Sequence, residues 1–147
     1  MTADVRCEFT DRPSPGDLDV VDSGLHLYNL AAADLGAVRP LACFARADSG
    51  EVIGGLRARQ WGNAVEVQQL WVDEAHRRRG IGARLMHLLE QSAVGRGAAV
   101  IYLDTFSFQA PEFYRRCGYQ AAARVDGFPD GIGRFLMVKR VGAATIR

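Results

Sequence analysis

The most restrictive feature of this sequence is a short arginine- and glycine-rich turn, RRRGIGA, at residues 77–83. It follows an apolar segment and precedes a stretch in which apolar side chains recur with helical spacing. The first amides of a helix have no partners inside it, and the helix dipole adds partial positive charge there. Because Gly80 and Gly82 have no side chains, a phosphate group can reach those amides, and the arginines add charge-assisted hydrogen bonds. The turn therefore predicts a phosphate site between a strand and a helix.

Two common nucleotide-binding motifs do not fit this turn. Its spacing is RxxGxG, whereas the dinucleotide fingerprint requires GxGxxG and a third glycine in the helix. A Walker loop requires GK[ST], and that sequence does not occur. From the residues alone, the alternative is that the glycines serve tight packing and the arginines form a solvated surface.

The hydrophobic pattern predicts ten elements in the order β-α-β-β-β-α-β-α-β-β. That order favours one three-layer domain of the α/β or α+β class, covering residues 1–147, with a strand-helix-strand crossover at its centre. Strands are expected at residues 5–9, 41–47, 52–59, 64–72, 98–103, 119–125 and 134–141, and helices at 18–32, 81–93 and 109–116.

The strand that leads into the turn changes its apolar phase partway along. Val65 and Val67 share one face, whereas Leu70 and Val72 fall on the other, because the alternation slips across the two glutamines between them. One inserted residue, a β-bulge, would return all four side chains to the same face. Burial of both faces at that end of the strand would explain the pattern equally well.

Charge and cysteine content exclude several classes of protein. The 18 basic residues nearly balance the 17 acidic ones, which predicts no nucleic-acid partner, and no apolar run is long enough to span a bilayer. The three cysteines are odd in number and show no CxxC spacing, which argues against a disulfide framework or a structural zinc site. We therefore expect a soluble, cytoplasmic protein without a membrane partner.

Two segments together resemble the GNAT acetyltransferases. RxxGxG between a strand and an amphipathic helix resembles that family's coenzyme A signature, [RQ]xxGx[GA], with Arg77, Gly80 and Gly82 at its fixed positions. The segment FYRRCGY at residues 113–119 is similar to the family's YxxxG[FY] block. The resemblance extends from about residue 67 to residue 139, whereas the first third matches only in its order of elements. It implies a GNAT-like fold: a central mixed, mostly antiparallel sheet with helices on both faces.

The resemblance also implies that acetyl-CoA is the co-substrate, without a metal, and that it binds in a V-shaped opening between strands 64–72 and 98–103. A bulge would separate those strands and free backbone groups for the pantetheine arm. Many family members carry an asparagine where Ser107 stands, so we expect its hydroxyl and Gln109 to share that contact. The expected coenzyme-binding residues are Leu70, Trp71, Val72, Arg77, Arg78, Arg79, Gly80, Ile81, Gly82, Ala83, Ser107 and Gln109.

Acetylation of an amine requires loss of a proton from the amine and protonation of the departing thiolate. By resemblance, Tyr114 is the general acid, since a phenol with a pKa of about 10 is protonated at neutral pH. The alternative is a core tyrosine on a short helix. Glu66 is the first candidate for the general base, directly or through water, against the alternative of an exposed strand glutamate; Asp73 and Asp104 are weaker candidates.

Aromatic side chains at loop or strand-end positions are expected to form the substrate wall: Trp61, Phe106, Phe108 and Phe128. The leading hypothesis is transfer of the acetyl group of acetyl-CoA to a primary amine of a small molecule, by direct attack in a ternary complex. A protein N-terminus or a lysine is the alternative acceptor. A CoA-binding regulatory module without activity is the alternative of another class. A homodimer stays open as an assembly.

Overall fold

The computed structural model describes residues 4–142, which divide into two compact units, residues 4–36 and 37–142. The first unit contains one helix, α1 (Pro15–Ala32). It begins three residues earlier than predicted because Ser14 caps it, its Oγ accepting from the Asp17 amide at 3.2 Å, and because proline fits the first helical turn.

The strand predicted at residues 5–9 is not formed. Residues 4–10 are exposed and pair with no strand of the part of the chain that the structure describes. Alternating apolar residues are not sufficient for a strand, because its backbone groups also need a neighbouring ladder.

The second unit is built on a six-stranded mixed sheet in the order β1-β2-β3-β4-β6-β5. All neighbouring strands are antiparallel except β3 and β4, which are parallel and joined by a helical crossover. The mixed, mostly antiparallel sheet is thus confirmed. The strands are β1 (Arg39–Arg46), β2 (Val52–Trp61), β3 (Ala64–Val72), β4 (Val100–Phe106), β5 (Gln120–Val125) and β6 (Arg134–Arg140); the helices are α2 (Ile81–Gly95) and α3 (Pro111–Arg116). Short 3-10 turns lie at Leu35–Ala37, Glu74–His76 and Pro129–Gly131.

Within residues 37–142, α2 and α3 cover the same face of the sheet. Alternate residues of the central strands point into one buried cluster together with the apolar stripe of α2 and with Tyr114 of α3. The main contributors are Val65, Val67, Leu85, Met86, Leu89, Ile101, Leu103 and Met137. The intervening residues of the strands point to the opposite face, where Trp71 is 53% exposed.

A polar cluster fastens the end of α3 to α2. The Lys139 ammonium, from the one lysine in the sequence, forms an ion pair with Glu90 at 2.9 Å and donates to the Cys117 carbonyl at 2.7 Å. The Tyr119 hydroxyl donates to the second Glu90 oxygen at 3.2 Å, and the Tyr119 amide donates to the Tyr114 carbonyl at 2.9 Å. These bonds hold α3, and therefore Tyr114, in a fixed position over the sheet.

Candidate active site

The two parallel strands at the centre of the sheet pair over only three positions. Ala64, Val65 and Glu66 of β3 lie opposite Val100, Ile101 and Tyr102 of β4. Beyond Glu66 the strands separate, and β4 pairs only with β6. The two strands therefore form a V that opens towards Val72, the end of β3 that leads into the arginine turn.

A β-bulge in β3 lies at the start of this opening. Arg57 of β2 faces Gln69, whereas the next residue, Ala58, faces Val67, so Gln68 is the additional residue. Of the two explanations that the apolar phase left open, the structure confirms the bulge. Its consequence is also the predicted one, because Leu70 and Val72 now pack against the same core as Val67.

A cavity of about 710 Å³ lies where the end of β3 meets the first residues of α2 and one side of α3. We call it the turn cavity. Eight of the twelve residues predicted to bind the coenzyme line it: Leu70, Val72, Arg77, Arg78, Gly80, Ile81, Gly82 and Ala83. Sequence reasoning missed the four other lining residues, His76, Ala110, Phe113 and Arg116. Phe113 and Arg116 lie on the same short helix as Tyr114.

The turn is held in an unusual backbone conformation. Arg78 and Gly80 both have positive φ, 64° and 75°, and glycine is the residue that tolerates this without strain. The Arg77 side chain does not extend freely, because its Nε donates to the Val72 carbonyl at 2.9 Å and fastens the turn to β3. Gly82 also serves packing: a Cβ there would lie 3.2 Å from the Phe113 ring. The packing explanation and the phosphate explanation of the glycines are therefore compatible.

A second cavity, of about 400 Å³, occupies the opening between β3 and β4. We call it the splay cavity. It shares Leu70, Ala110 and Phe113 with the turn cavity, so that the two adjoin. Trp71 and Gln109, both predicted coenzyme residues, line the splay cavity together with Tyr114. The structure thus brings the arginine turn and the predicted general acid to two adjoining cavities.

Tyr114 is buried at the inner wall of the splay cavity, with 8% of its surface exposed. Its ring packs edge-on against Phe113 and Tyr119, at centroid distances of 5.1 and 6.0 Å. Burial raises the pKa of Tyr114 to about 12. Among residues 4–142, none makes a hydrogen bond to its hydroxyl. At neutral pH this phenol is therefore protonated, and its proton is available to a ligand in the cavity.

Glu66 lies at the last strand pair before the opening and on the face of the sheet opposite Tyr114. Its carboxylate accepts from the Tyr102 hydroxyl at 2.9 Å and forms an ion pair with Arg59 at 3.3 Å. Burial, followed by this hydrogen bond to Glu66, raises the pKa of Tyr102. Glu66 is not among the residues that line the splay cavity, and its role as a base stays a prediction.

The other two carboxylates considered as bases differ from each other. Asp73 is held by His76, with its Oδ2 3.0 Å from the ring Nδ1. Asp104 lines the splay cavity and pairs with Arg134 at 3.0 Å, so it brings a negative charge closer to the opening than Glu66 does. The sequence could have indicated that Asp104 lies nearer the opening, because strand alternation places it on the same face as Tyr102 and two residues further along β4.

Three of the four predicted aromatic wall residues form a cluster beyond Asp104. The Phe106 ring stacks on Phe108 at 5.4 Å and meets Phe128 edge-on at 5.3 Å. The loops that carry them are joined by Ser107, whose Oγ accepts from the Gly133 amide and whose own amide donates to the Gly133 carbonyl. Ser107 lines neither cavity, and its expected contact with the coenzyme stays a prediction.

Two further predicted site residues lie elsewhere. Trp61 stands at the end of β2 opposite Ala64, beside the paired end of the V rather than its open end. The two-residue turn at Gly62 and Asn63 puts it there, and the structure does not bring it to either cavity. Arg79 lines a separate cavity on the other side of the arginine turn.

Within residues 4–142, no helix is long and apolar enough to cross a membrane. In the same part of the chain, no group of three or more His, Cys, Asp or Glu side chains has a geometry that could hold a metal ion.

Comparison with known proteins adds independent findings. Residues 8–119 match the acetyltransferase (GNAT) family. The chain is 38% identical over 107 residues to the blasticidin-S acetyltransferase of Streptomyces morookaense, an alignment that covers 70% of this chain and 79% of that protein. In structure it resembles an acetyltransferase from Bacillus cereus, with a TM-score of 0.75, 27% identity and coverage of 91% and 98% of the two chains.

A more distant structural relative shows the same fold with its co-substrate present. It is a streptothricin acetyltransferase from Bacillus anthracis in complex with acetyl coenzyme A, with a TM-score of 0.61 and 21% identity. The similarity covers 69% of this chain and 62% of that one.

Proposed function

The chain belongs to the GNAT acetyltransferase family, and on that premise we propose that it transfers the acetyl group of acetyl-CoA to a primary amine of a small molecule. The observation that carries the proposal is that the turn cavity adjoins the splay cavity, with three lining residues in common. A site for phosphates at one end and an unpaired, protonated tyrosine at the other fit a long co-substrate whose reactive thioester lies far from its anionic part.

In this proposal the pyrophosphate binds the first amides of α2, with Arg78 and Arg116 beside it. The pantetheine arm follows the end of β3, where separation from β4 leaves backbone groups of Leu70 and the Val72 amide without a strand partner on that side. The Val72 carbonyl is already bonded to Arg77. The amine nitrogen attacks the thioester carbonyl, a C–N bond forms, and the C–S bond breaks. The departing thiolate takes its proton from Tyr114, and the amine gives up a proton to a base.

Glu66 stays the first candidate for that base and Asp104 is the second. Glu66 accepts hydrogen bonds from Tyr102 and Arg59 on the far side of the sheet, whereas Asp104 lines the splay cavity. Glu66→Gln and Asp104→Asn distinguish the two, because loss of the base lowers turnover and removes the acidic limb of the pH–rate profile. The variant whose profile keeps that limb identifies the residue that is not the base.

Coenzyme binding is tested by thermal shift with acetyl-CoA, since a ligand of the folded state raises the melting temperature. Gly82→Ala meets the Phe113 ring without adding charge, whereas Gly82→Asp meets the same ring and adds a carboxylate. We expect Gly82→Asp to weaken acetyl-CoA at least tenfold more than Gly82→Ala does. Gly95→Asp, at the other end of α2 with open space around it, is the matched control.

A screen of amine acceptors, followed by release of free thiol, tests the substrate class. Small amines, among them the antibiotic named in the Streptomyces relative, are compared with peptides that offer an α-amine or a lysine. Turnover with small amines supports the proposal. Turnover with peptides alone would show that the acceptor is a peptide amine and not a small molecule. Binding of acetyl-CoA without turnover of any acceptor would favour a regulatory module without activity.

A further inference from the structure

A third cavity, of about 360 Å³, lies on the side of the arginine turn that faces away from the turn cavity. Three arginines from three different elements line it: Arg46 at the end of β1, Arg79 in the turn and Arg84 on α2. We call it the arginine pocket. His76 and Ile81 line both this pocket and the turn cavity, so the turn separates two neighbouring basic sites.

The positive charge of this pocket is only partly compensated by the protein. Among residues 4–142, neither Arg79 nor Arg84 forms an ion pair or a hydrogen bond through its guanidinium. Arg46 donates only to the Gly50 carbonyl, at 3.0 Å, and its guanidinium lies over the Phe44 ring. Asp48 is the one carboxylate among the lining residues. Three guanidinium groups around one cavity repel one another, and an anion placed between them relieves that repulsion.

Guanidinium groups are suited to phosphate in particular, because their planar fork donates two parallel hydrogen bonds to a pair of phosphate oxygens. The pocket also adjoins a fourth cavity, of about 470 Å³, between β1 and α2. That cavity shares Arg46 and Arg84 with the pocket and adds Phe44 and Leu88, which leaves room for a larger group attached to the phosphate.

We propose that the arginine pocket binds a phosphate group, separate from the pyrophosphate assigned to the turn cavity. The phosphate can be carried by the coenzyme itself, as the 3′-phosphate on its ribose, or by a second ligand. The first source rests on the proposed function, whereas the second does not. In both cases Arg79 binds its phosphate on the opposite side of the turn from Arg78.

The test uses the Arg79→Gln/Arg84→Gln double variant and calorimetry with three probes: CoA, 3′-dephospho-CoA and inorganic phosphate. If the coenzyme supplies the phosphate, we expect the double variant to bind CoA at least tenfold more weakly and 3′-dephospho-CoA with unchanged affinity. If a second ligand supplies it, CoA affinity stays unchanged and the double variant loses binding of inorganic phosphate.

Arg57→Gln/Arg96→Gln is the matched control, because it removes two exposed charges outside the pocket. The proposal is overturned if the pocket variant weakens CoA and 3′-dephospho-CoA equally, or if it behaves as the control does with all three probes. Failure of the wild-type protein to bind CoA at all would instead contradict the proposed function, and the inorganic phosphate measurement would still decide the proposal.

Discussion

The two ends of the β3–β4 pair differ sharply although they belong to the same strands. At the paired end, backbone groups bond across the ladder, and Val65 and Ile101 are completely buried side by side. At the open end, beyond the bulge at Gln68, the strands separate and a cavity takes the place of the ladder. One end therefore serves stability and the other can serve binding.

The difference shows how a sheet can bind a ligand without a dedicated loop. A strand within a ladder hydrogen-bonds its amides and carbonyls to the neighbouring strands, so none of them is available to a ligand. Where one residue is inserted and the partner strand departs, the same kind of backbone offers those groups to whatever enters the cavity. Binding capacity at this site thus comes from interrupted pairing.

The largest expected effect separates chemistry from packing at the open end. Tyr114→Phe keeps the ring and removes the proton donor, so turnover should fall by roughly 10²–10⁴-fold. Acetyl-CoA affinity should change little, because the turn cavity is untouched. Steady-state rates per folded molecule, with calorimetry for the affinity, measure both.

Tyr119→Phe measures how much of the loss comes from a displaced Tyr114, since it removes the bond to Glu90 that helps to position α3 but no residue of the splay cavity. If Tyr114→Phe lowered the melting temperature strongly and left turnover intact, Tyr114 would serve packing, as the residues of the paired end do, and would not be the proton donor.

The second prediction concerns the paired end itself. Ile101→Ala leaves a void in the fully buried centre of the ladder and should lower the free energy of unfolding by about 2–5 kcal/mol. Turnover per folded molecule should stay within a few-fold of wild type, and urea denaturation gives the stability. Leu88→Ala, at a position 48% exposed on α2, should cost far less. Comparable losses in the two variants would contradict the contrast between the ends.

The smallest effect tests whether the open end is shielded from water at high pH. The pKa of Tyr114 in the folded protein, about 12, exceeds its usual value near 10, so the unfolded chain ionises first as pH rises. The resulting stabilisation is fully present below pH 10 and is lost as pH rises through 12, by about 1 kcal/mol at pH 11.

Unfolding measured from pH 9 to 11 should therefore show a shallower decline for Tyr114→Phe than for wild type. Tyr28→Phe, which changes a tyrosine 70% exposed, should leave the decline as it is. An identical slope for all three proteins would mean that water reaches the Tyr114 hydroxyl freely in the folded state.

The sequence predicted the elements around the arginine turn more accurately than those at its periphery. β3 has the predicted bounds, and α2 starts at the predicted residue, because the glycines and the apolar stripe are strong local signals. The strand at residues 5–9 was wrong because pairing is not a local property. β4 begins two residues later than predicted and continues to Phe106, since its partner β6 extends to Arg134.

The predictions for the site show the same difference. Most residues that the motif identified lie together at the turn cavity, whereas residues assigned by their type alone do not always lie at the site. Trp61 is an aromatic at a strand end, but at the wrong end of the sheet, and Arg79 follows two arginines of the turn yet lines another cavity. Side-chain direction around a turn depends on backbone torsions such as the positive φ of Arg78, which spacing does not reveal.

The bonding of Lys139 has a further consequence for an enzyme that modifies amines. Lys139 is the chain's one lysine, and its ammonium is engaged by Glu90 and the Cys117 carbonyl, whereas every other basic side chain of the 18 is an arginine. Guanidinium groups stay protonated at working pH and do not compete as acyl acceptors. The protein thus offers acetyl-CoA no free side-chain amine of its own, so acetylation of its own lysine adds little to the thiol release that measures transfer to the added acceptor.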